Sequence, residues 1–587
     1  MTVINLHDIR SLAIAWMWCA VLAGPALYAG TATAQLERTV GVIHSDAGTF
    51  DGYTFFAPRS SYQTFLVDME GRLVHTWPSD YLIANPAYLM DDGSILRTAT
   101  FGRGFSRFNA GGVGARVERI DWDGNLVWAY ELAGDEAQLH HDIEPLPNGN
   151  VLMMAWVYKT REEAIEAGRD SLRITEDGVW PETIIEVRPT GSFGGEIVWQ
   201  WNVWDHMIQD FDPTRANYGD VAAHPELIDV NFQAERGKDW IHFNSVAYHP
   251  ELDQIVLSNR GFSEVWIVDH STSTQEAAGH TGGRYGRGGD LLYRWGNPAA
   301  YRAGTETDQV LFGQHHVHWV GPDLVGEDRL LVFNNGFQRP AGAFSSVEEL
   351  EPPINPDGSY VWPVPSAAFG PAAPVWTYTA PVPTDLYTAI LSGAERLPNG
   401  NTFVTDGAHG TVLEITPDGD EVWRYISPVV SDTVIVPQYG EIPDEGFNRD
   451  ANTVFRFYRF GPDHPGLAGR DLTPGLTIED GALTTAVDET PGGMPRSLSV
   501  DAVYPNPFQS TTTITFTSRH AEQARLYVTD VLGRVVRTLA DGITPVGQSR
   551  LTWDGTDGEG RPVASGLYVI AVESGSDRIS RTVTFVR

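Results

Sequence analysis

Three short phrases bring histidines together inside apolar surroundings: His140-His141-Asp142, His242-Phe243-Asn244-Ser245 and His315-His316-Val317-His318-Trp319. Histidine is the side chain that serves near neutral pH as a nucleophile, a proton carrier or a metal ligand. A lone strand histidine is usually a satisfied core residue. Three clusters at matching places, with Arg260 closing the stretch that His242 opens, are harder to explain as packing. Burying several imidazoles and a guanidinium together costs free energy unless they pair or receive an anion. A metal is the competing chemistry, with His315, His318, His141 and Asp142 as ligands. Alternation along a strand places His315 and His318 on opposite faces, which argues against that set and for a site without metal or cofactor.

These residues are distant in sequence, so the fold must gather them. One phrase recurs: an apolar strand, a turn with Asp or Asn and Gly, then a strand ending on an aromatic residue. Its copies are 67–71 leading to Trp77, 120–124 to Trp128, 187–191 to Trp199, Val268 to Trp295, 356–358 with Trp376, and 415–419 to Trp423. A second phrase, Leu146-Pro147-Asn148-Gly149-Asn150 and Leu397-Pro398-Asn399-Gly400-Asn401, lies between copies. Asn-Gly turns make hairpins because both central positions tolerate positive φ. Two hairpins make a four-stranded sheet that cannot bury both faces alone, and radial stacking of such sheets gives a propeller. The expected fold is all-β, a six-bladed β-propeller followed by a small immunoglobulin-like β-sandwich. Insertions leave five or seven blades open. The phrase Phe455-Arg456-Phe457-Tyr458-Arg459-Phe460 is expected to return and close the ring. In such a ring the first strands of the units line a channel, where the three histidine phrases meet.

The boundaries read as a signal peptide at 1–34, the propeller at 35–472, a linker at 473–496 and the C-terminal domain at 497–587. Arg10, the apolar stretch 11–27 and Ala32-Thr33-Ala34 before Gln35 form the export signal. A membrane anchor is the alternative, but the stretch contains Gly24 and Pro25 and is short for a span. Cleavage would remove Cys19, the single cysteine, and with it disulfides, thiolate metals and thiol catalysis. The C-terminal strands are expected at 512–517, 523–530, 534–539, 549–553, 566–574 and 579–586. Asp554, Asp557 and Glu559 lack the spacing of a calcium loop and read as a tight turn.

The charge, 40 basic against 76 acidic residues, is −36. Such a surface repels nucleic acid, which is excluded as a partner. An anionic substrate must therefore find local positive charge. A saline habitat is another source of the acidity.

From about Thr39 to about Thr473 the sequence resembles the bacterial arylsulfotransferases. The resemblance lies in Phe50-Asp51-Gly52-Tyr53-Thr54, His141-Asp142-Ile143, His242-Phe243-Asn244-Ser245-Val246 and the stretch 263–270. It also lies in Gly313-Gln314-His315 and in Ser392-Gly393-Ala394. It implies transfer of a sulfuryl group from a phenolic sulfate ester to a phenol, without a nucleotide donor, through a sulfohistidine. By the same resemblance His315 is the nucleophile, and His242 and Arg260 hold the sulfuryl oxygens. His141 is a further channel histidine, with His140 as its alternative. Asn244, His318 and His140 complete the expected set as substrate-binding residues. The chain departs from the family in carrying His316, Val317 and His318 where an acid commonly follows the nucleophile. The disulfide of some relatives is impossible here. The tail resembles type IX secretion sorting domains, through Tyr504-Pro505-Asn506-Pro507-Phe508, the stretch 529–534, Trp553-Asp554-Gly555 and Ser565-Gly566-Leu567-Tyr568. That implies the type IX machinery as a partner and passage through the periplasm to the cell surface or medium. A non-catalytic propeller binding sulfated aromatics or glycans and a metal-dependent hydrolase or lactonase are the rival readings.

Overall fold

A computed structural model describes residues 37–102, 106–233, 237–481 and 498–586, except 507, 519–521, 531–533, 545–546 and 575–576. The signal peptide, Cys19 and residues 482–496 of the expected linker lie outside the described residues.

The recurring phrase builds the outer hairpin of each sheet. In the first copy Asp68 Oδ1 accepts the N–H groups of Glu70 (3.1 Å) and Arg72 (2.8 Å), and Gly71 takes φ +79°. That closes the turn between strands Gln63–Val67 and Leu73–Pro78. Trp77, Trp128, Trp199, Trp295 and Trp423 are buried between sheets. The Leu-Pro-Asn-Gly-Asn phrase makes the inner hairpin, though not as the sequence suggested. Only Gly149 and Gly400 have positive φ (84° and 88°); Asn148 and Asn399 do not. The Leu146 carbonyl accepts the Gly149 N–H, and the Leu146 N–H donates to Asn150. This is a type I turn with Pro147 at its second position, followed by a left-handed glycine.

Among the described residues, six sheets of four or five strands follow one another along the chain. Each has one strand at the inner edge: β1 (Leu82–Leu89), β2 (Ala137–Pro145), β3 (Phe243–His249), β4 (His315–Trp319), β5 (Gly393–Arg396) and β6 (Val454–Phe460). Each inner strand touches the next, and β6 touches β1, so the sheets close on themselves in a propeller-like ring. Both ends of the ring lock it. β6 pairs with Tyr53–Pro58, and Gly41–Ser45 adds a fifth strand beside Glu421–Ile426. The packing does not stop at Leu472. Leu73 exchanges backbone hydrogen bonds with Gly475 and Leu476, and Ile478 is buried against Val42, Phe56 and Trp423. Residues 473–481, read from sequence as linker, thus run along the first sheet.

Among the described residues, seven strands form the C-terminal part. Leu498–Tyr504, Thr512–Ser518 and Gly547–Trp553 make one antiparallel sheet, and Val535–Thr544, Glu522–Asp530, Gly566–Ser574 and Asp577–Phe585 make the other. Their shared core holds Phe508, Ile514, Leu526, Ile570, Trp553 and Phe585, an immunoglobulin-like arrangement. The strand Leu498–Tyr504 is additional to those expected from sequence. Asp554 accepts from Thr556, and Asp557 from the N–H groups of Glu559 and Arg561, so these acids cap turns.

Candidate active site

The inner strands begin irregularly, and the irregularity falls on histidines. His141, His242 and His316 have φ of 46°, 56° and 48°, and Leu391 and Ser392 before β5 have 61° and 82°. Register shifts accompany the first three. A left-handed non-glycine residue costs about 1–2 kcal/mol, and surrounding bonds hold it there, as the Gly112 carbonyl holds the His141 N–H at 2.7 Å. The bulges break strict alternation and let neighbouring side chains face different ways.

His315 shows why that matters. Its Nδ1 lies 2.8 Å from Asn335 Oδ1. The Asn335 amide nitrogen donates to the carbonyls of Thr388 (2.8 Å) and Leu391 (3.1 Å), so its oxygen must face the imidazole. Nδ1 therefore carries the hydrogen, and Nε2 keeps its lone pair, with the Leu391 N–H at 3.3 Å. Burial, then the Arg260 charge, hold His315 well below the usual imidazole range. Its backbone is pinned as well. Gln314 donates to the carbonyls of Asn259 and Glu264, and the Asn244 amide donates to the Gln314 carbonyl at 2.7 Å. The Arg260 guanidinium lies over the Phe337 ring, 5.0 Å from its centre, and the Arg260 N–H donates to the His242 carbonyl.

On the neighbouring inner strands His141 and His242 meet edge to face at 4.7 Å. His242 Nδ1 is 2.6 Å from Asp239 Oδ2. His141 Nδ1 is 2.9 Å from His140 Nδ1, and His140 Nε2 is 2.6 Å from Glu182 Oε2. His140 stacks on Trp156 at 4.1 Å. Burial brings His140 down to about 3. Burial, then His242 and His140, push His141 down too, while burial, then Asp239, raise Glu182 well above the carboxylate range. The result is a hydrogen-bonded line, Glu182–His140–His141, whose members are held near neutrality.

Gly112 lies against that line. A Cβ on it would come within 2.1 Å of the His141 ring, at φ +76°. Gly112→Ala is expected to displace His141, slow turnover about 100-fold and cost about 1–3 kcal/mol of stability. Gly191→Ala, at φ +66° with nothing within 4 Å, should cost stability without slowing turnover; rates and denaturant unfolding of both variants check this.

Sequence reading missed a hub formed by Arg456 on β6. Arg456 Nη2 donates to Asp142 Oδ2 (2.8 Å) and Nη1 to Tyr88 Oη (3.0 Å), while Tyr88 Oη donates to Asp142 Oδ1 (2.6 Å). The Val246 N–H also reaches Asp142 Oδ2, at 3.3 Å. One carboxylate thereby ties β1, β2, β3 and β6 together. The available signal was a cation inside an aromatic strand, on the face it shares with Tyr458. His316 and His318 form a separate stack at 4.4 Å, with both Nδ1 atoms buried and unpartnered. Of the four side chains weighed as metal ligands, Asp142 meets Arg456, His315 Nδ1 faces Asn335 and His141 Nδ1 faces His140, while His318 stacks on His316.

A family model described as arylsulfotransferase (ASST) matches residues 39–422. The chain belongs to the arylsulfotransferase family. Membership supports a sulfotransferase function in general terms. A second model, the FlgD Ig-like domain, matches residues 501–578. No curated protein matches the chain. Similar solved structures include a protein of unknown function from Bacteroides caccae (11% identity, 70% of this chain and 99% of that one, TM-score 0.37). The periplasmic gluconolactonase PpgL of Pseudomonas aeruginosa is another (11%, 85% and 99%, TM-score 0.30). A streptogramin B lyase is a third (10%, 66% and 85%, TM-score 0.30). None of these likenesses bears on the site.

The arylsulfotransferase match contains every site residue expected from sequence but ends before Arg456. Within it His141 lies on the inner strand of the third sheet, His242 and Arg260 flank the inner strands of the fourth, and His315 opens the inner strand of the fifth. His140 backs His141, Asn244 braces the strand carrying His315, and His318 stands in its own stack with His316.

Proposed function

We propose that this arylsulfotransferase carries a sulfuryl group from a phenolic sulfate ester to a phenol on His315 Nε2. The observation that supports this most is the fixed tautomer of His315, a neutral ring with Nδ1–H on Asn335 and a lone pair on Nε2. Nε2 attacks sulfur as the S–O bond to the aryl group breaks. The leaving oxygen takes a proton from His141 Nε2. His141 Nδ1 is then reprotonated from His140 Nδ1, and His140 Nε2 from Glu182, which ends as a carboxylate. The acceptor phenol reverses every transfer, so protons and charge balance over the two half-reactions. The transition state is loose, as in phosphoryl transfer, so fixed cations and donors matter most. Arg260 and His242 supply them for the sulfuryl oxygens, and Arg260 offers a forked donor set.

The deciding experiment is turnover of an aryl sulfate with added phenol in the presence of chelator, with intact-mass detection of a sulfuryl adduct mapped to His315. Absence of turnover over a broad donor panel would favour a binding propeller. Loss of turnover with chelator would favour the metal-dependent hydrolase.

The pH profile offers a second check. The reactive form of His315 is unprotonated, and burial with Arg260 pulls its pKa well below 6.5. Activity per free enzyme should therefore stay level as pH falls through 6.5 and drop only below it. Arg260→Gln should shift that acid limb upward, toward the ordinary imidazole value, besides slowing the reaction.

We also propose that the N-terminal signal brings the chain into the periplasm and the C-terminal sandwich delivers it to the type IX machinery and the cell surface. The sequence phrases of both ends support this. A chain ending at residue 481 retained in the periplasm, against surface display of the full chain, is the expected outcome.

A further inference from the structure

A second cluster of chemistry-bearing side chains stands on the rim, away from the inner strands. His206 ends the short helical turn Val203–His206 that follows outer strand Gly195–Asn202 of the third sheet. His280 and Asp290 belong to the glycine-rich loop before outer strand Tyr293–Trp295 of the fourth. Asp290 Oδ1 lies 2.8 Å from His206 Nδ1 and 2.7 Å from His280 Nδ1. One ligand atom from each residue falls within 4.8 Å of the others.

The hydrogen bonds of His206 make the cluster unusual. Its ring is fully buried, and Nε2 faces the Ala277 carbonyl at 2.8 Å, so Nε2 carries a hydrogen. In the neutral ring Nδ1 then holds a lone pair, aimed at a carboxylate oxygen. Two acceptors at that distance need a cation between them, either a proton or a metal. The surroundings are those of a held ligand. The Trp201 ring is nearly parallel to His206 at 5.7 Å and donates from Nε1 to the Gly289 carbonyl. A Cβ on Gly289 would lie 2.6 Å from His206 Nε2, so only glycine lets the loop pass. An imidazole whose second nitrogen donates to a backbone carbonyl is the usual way a metal-binding histidine is oriented. His280 borders a cavity of about 560 Å³ lined also by Trp204, Asn217, Tyr218 and His224.

We propose that His206 Nδ1, His280 Nδ1 and the Asp290 carboxylate hold one zinc-class divalent ion, with a fourth position open to water in that cavity. Two imidazoles and one carboxylate suit zinc better than calcium or magnesium, which take oxygen-rich sets. The ion fastens the segment after the third sheet to the loop of the fourth. The site shares no residue with the channel, so it stands independently of sulfuryl transfer.

The test uses the full chain, stripped with chelator and dialysed. Titration with zinc should show one tight equivalent by calorimetry and raise the thermal midpoint. Cobalt(II) should give tetrahedral visible bands and quench Trp201 fluorescence. His280 is exposed, so His280→Ala should fold, and it should weaken zinc binding by at least about 100-fold. His224→Ala, on the cavity wall, should leave binding intact. No stoichiometric binding by the wild type, a midpoint indifferent to zinc, or unchanged affinity in His280→Ala overturns the proposal. The indifferent midpoint would mean that a proton joins His206 to Asp290.

Discussion

Replacing His315 with alanine is expected to lower sulfuryl transfer by at least about 10⁴-fold and to abolish the covalent adduct, since removal of a nucleophile leaves only binding and charge stabilisation. The neighbouring imidazoles are poorly placed to substitute. His316 and His318 are stacked on each other, and a Cβ on Gly393 would lie 2.4 Å from His316 Nδ1. His141 has its Nδ1 committed to His140. Asn335→Ala separates the tautomer from the nucleophile itself. It should keep the adduct but slow its formation, because either ring nitrogen can then carry the hydrogen. Initial rates and intact mass after incubation with an aryl sulfate measure both effects. Full transfer by His315→Ala would end the assignment.

The largest expected loss of stability belongs to Arg456. Arg456→Met should destabilise the propeller by about 3–5 kcal/mol, because Asp142 is left charged and buried without its partner. Asp142 is 1% exposed and Arg456 4%, so water cannot replace the lost contact. The double variant Arg456→Met/Asp142→Leu removes both charges and should recover much of that loss. Denaturant unfolding followed by tryptophan fluorescence, arranged as a double-mutant cycle, reads the coupling. A loss below about 1 kcal/mol in the single variant, or strictly additive effects, would show that the pair does not hold the ring.

The hairpins were legible because their turns are local. Asp68, Gly71 and Trp77 lie within one unit, so spacing alone identified them. The histidine phrases were legible for a similar reason, each sitting at the start of an inner strand. Arg456 and Glu182 escaped because their partners are far away in sequence: Arg456 reaches Asp142 across the ring closure, and Glu182 reaches His140 within its own sheet and Phe243 in the next. Pairings so distant in sequence leave no periodic mark. The left-handed backbone at His141, His242 and His316 was equally hidden, since histidine is enriched at positive φ yet still adopts it in only a small minority of positions. Asn244 shows the limit of phrase matching. It was expected to bind substrate; its amide nitrogen donates to the Gln314 carbonyl, a contact the phrase did not announce, while its Oδ1 is buried without a partner.

The strand that shuts the ring also brings the guanidinium at its centre. Until Val454–Phe460 settles beside Tyr53–Pro58, a growing chain already holds His141, His242, Arg260 and His315 but lacks the cation that neutralises Asp142. Closure of the ring and neutralisation of Asp142 therefore arrive in the same event. A chain ending before β6 lacks both the partner strand of Tyr53–Pro58 and the guanidinium that meets Asp142. The order of synthesis thus delivers last the charge that offsets the buried Asp142 carboxylate.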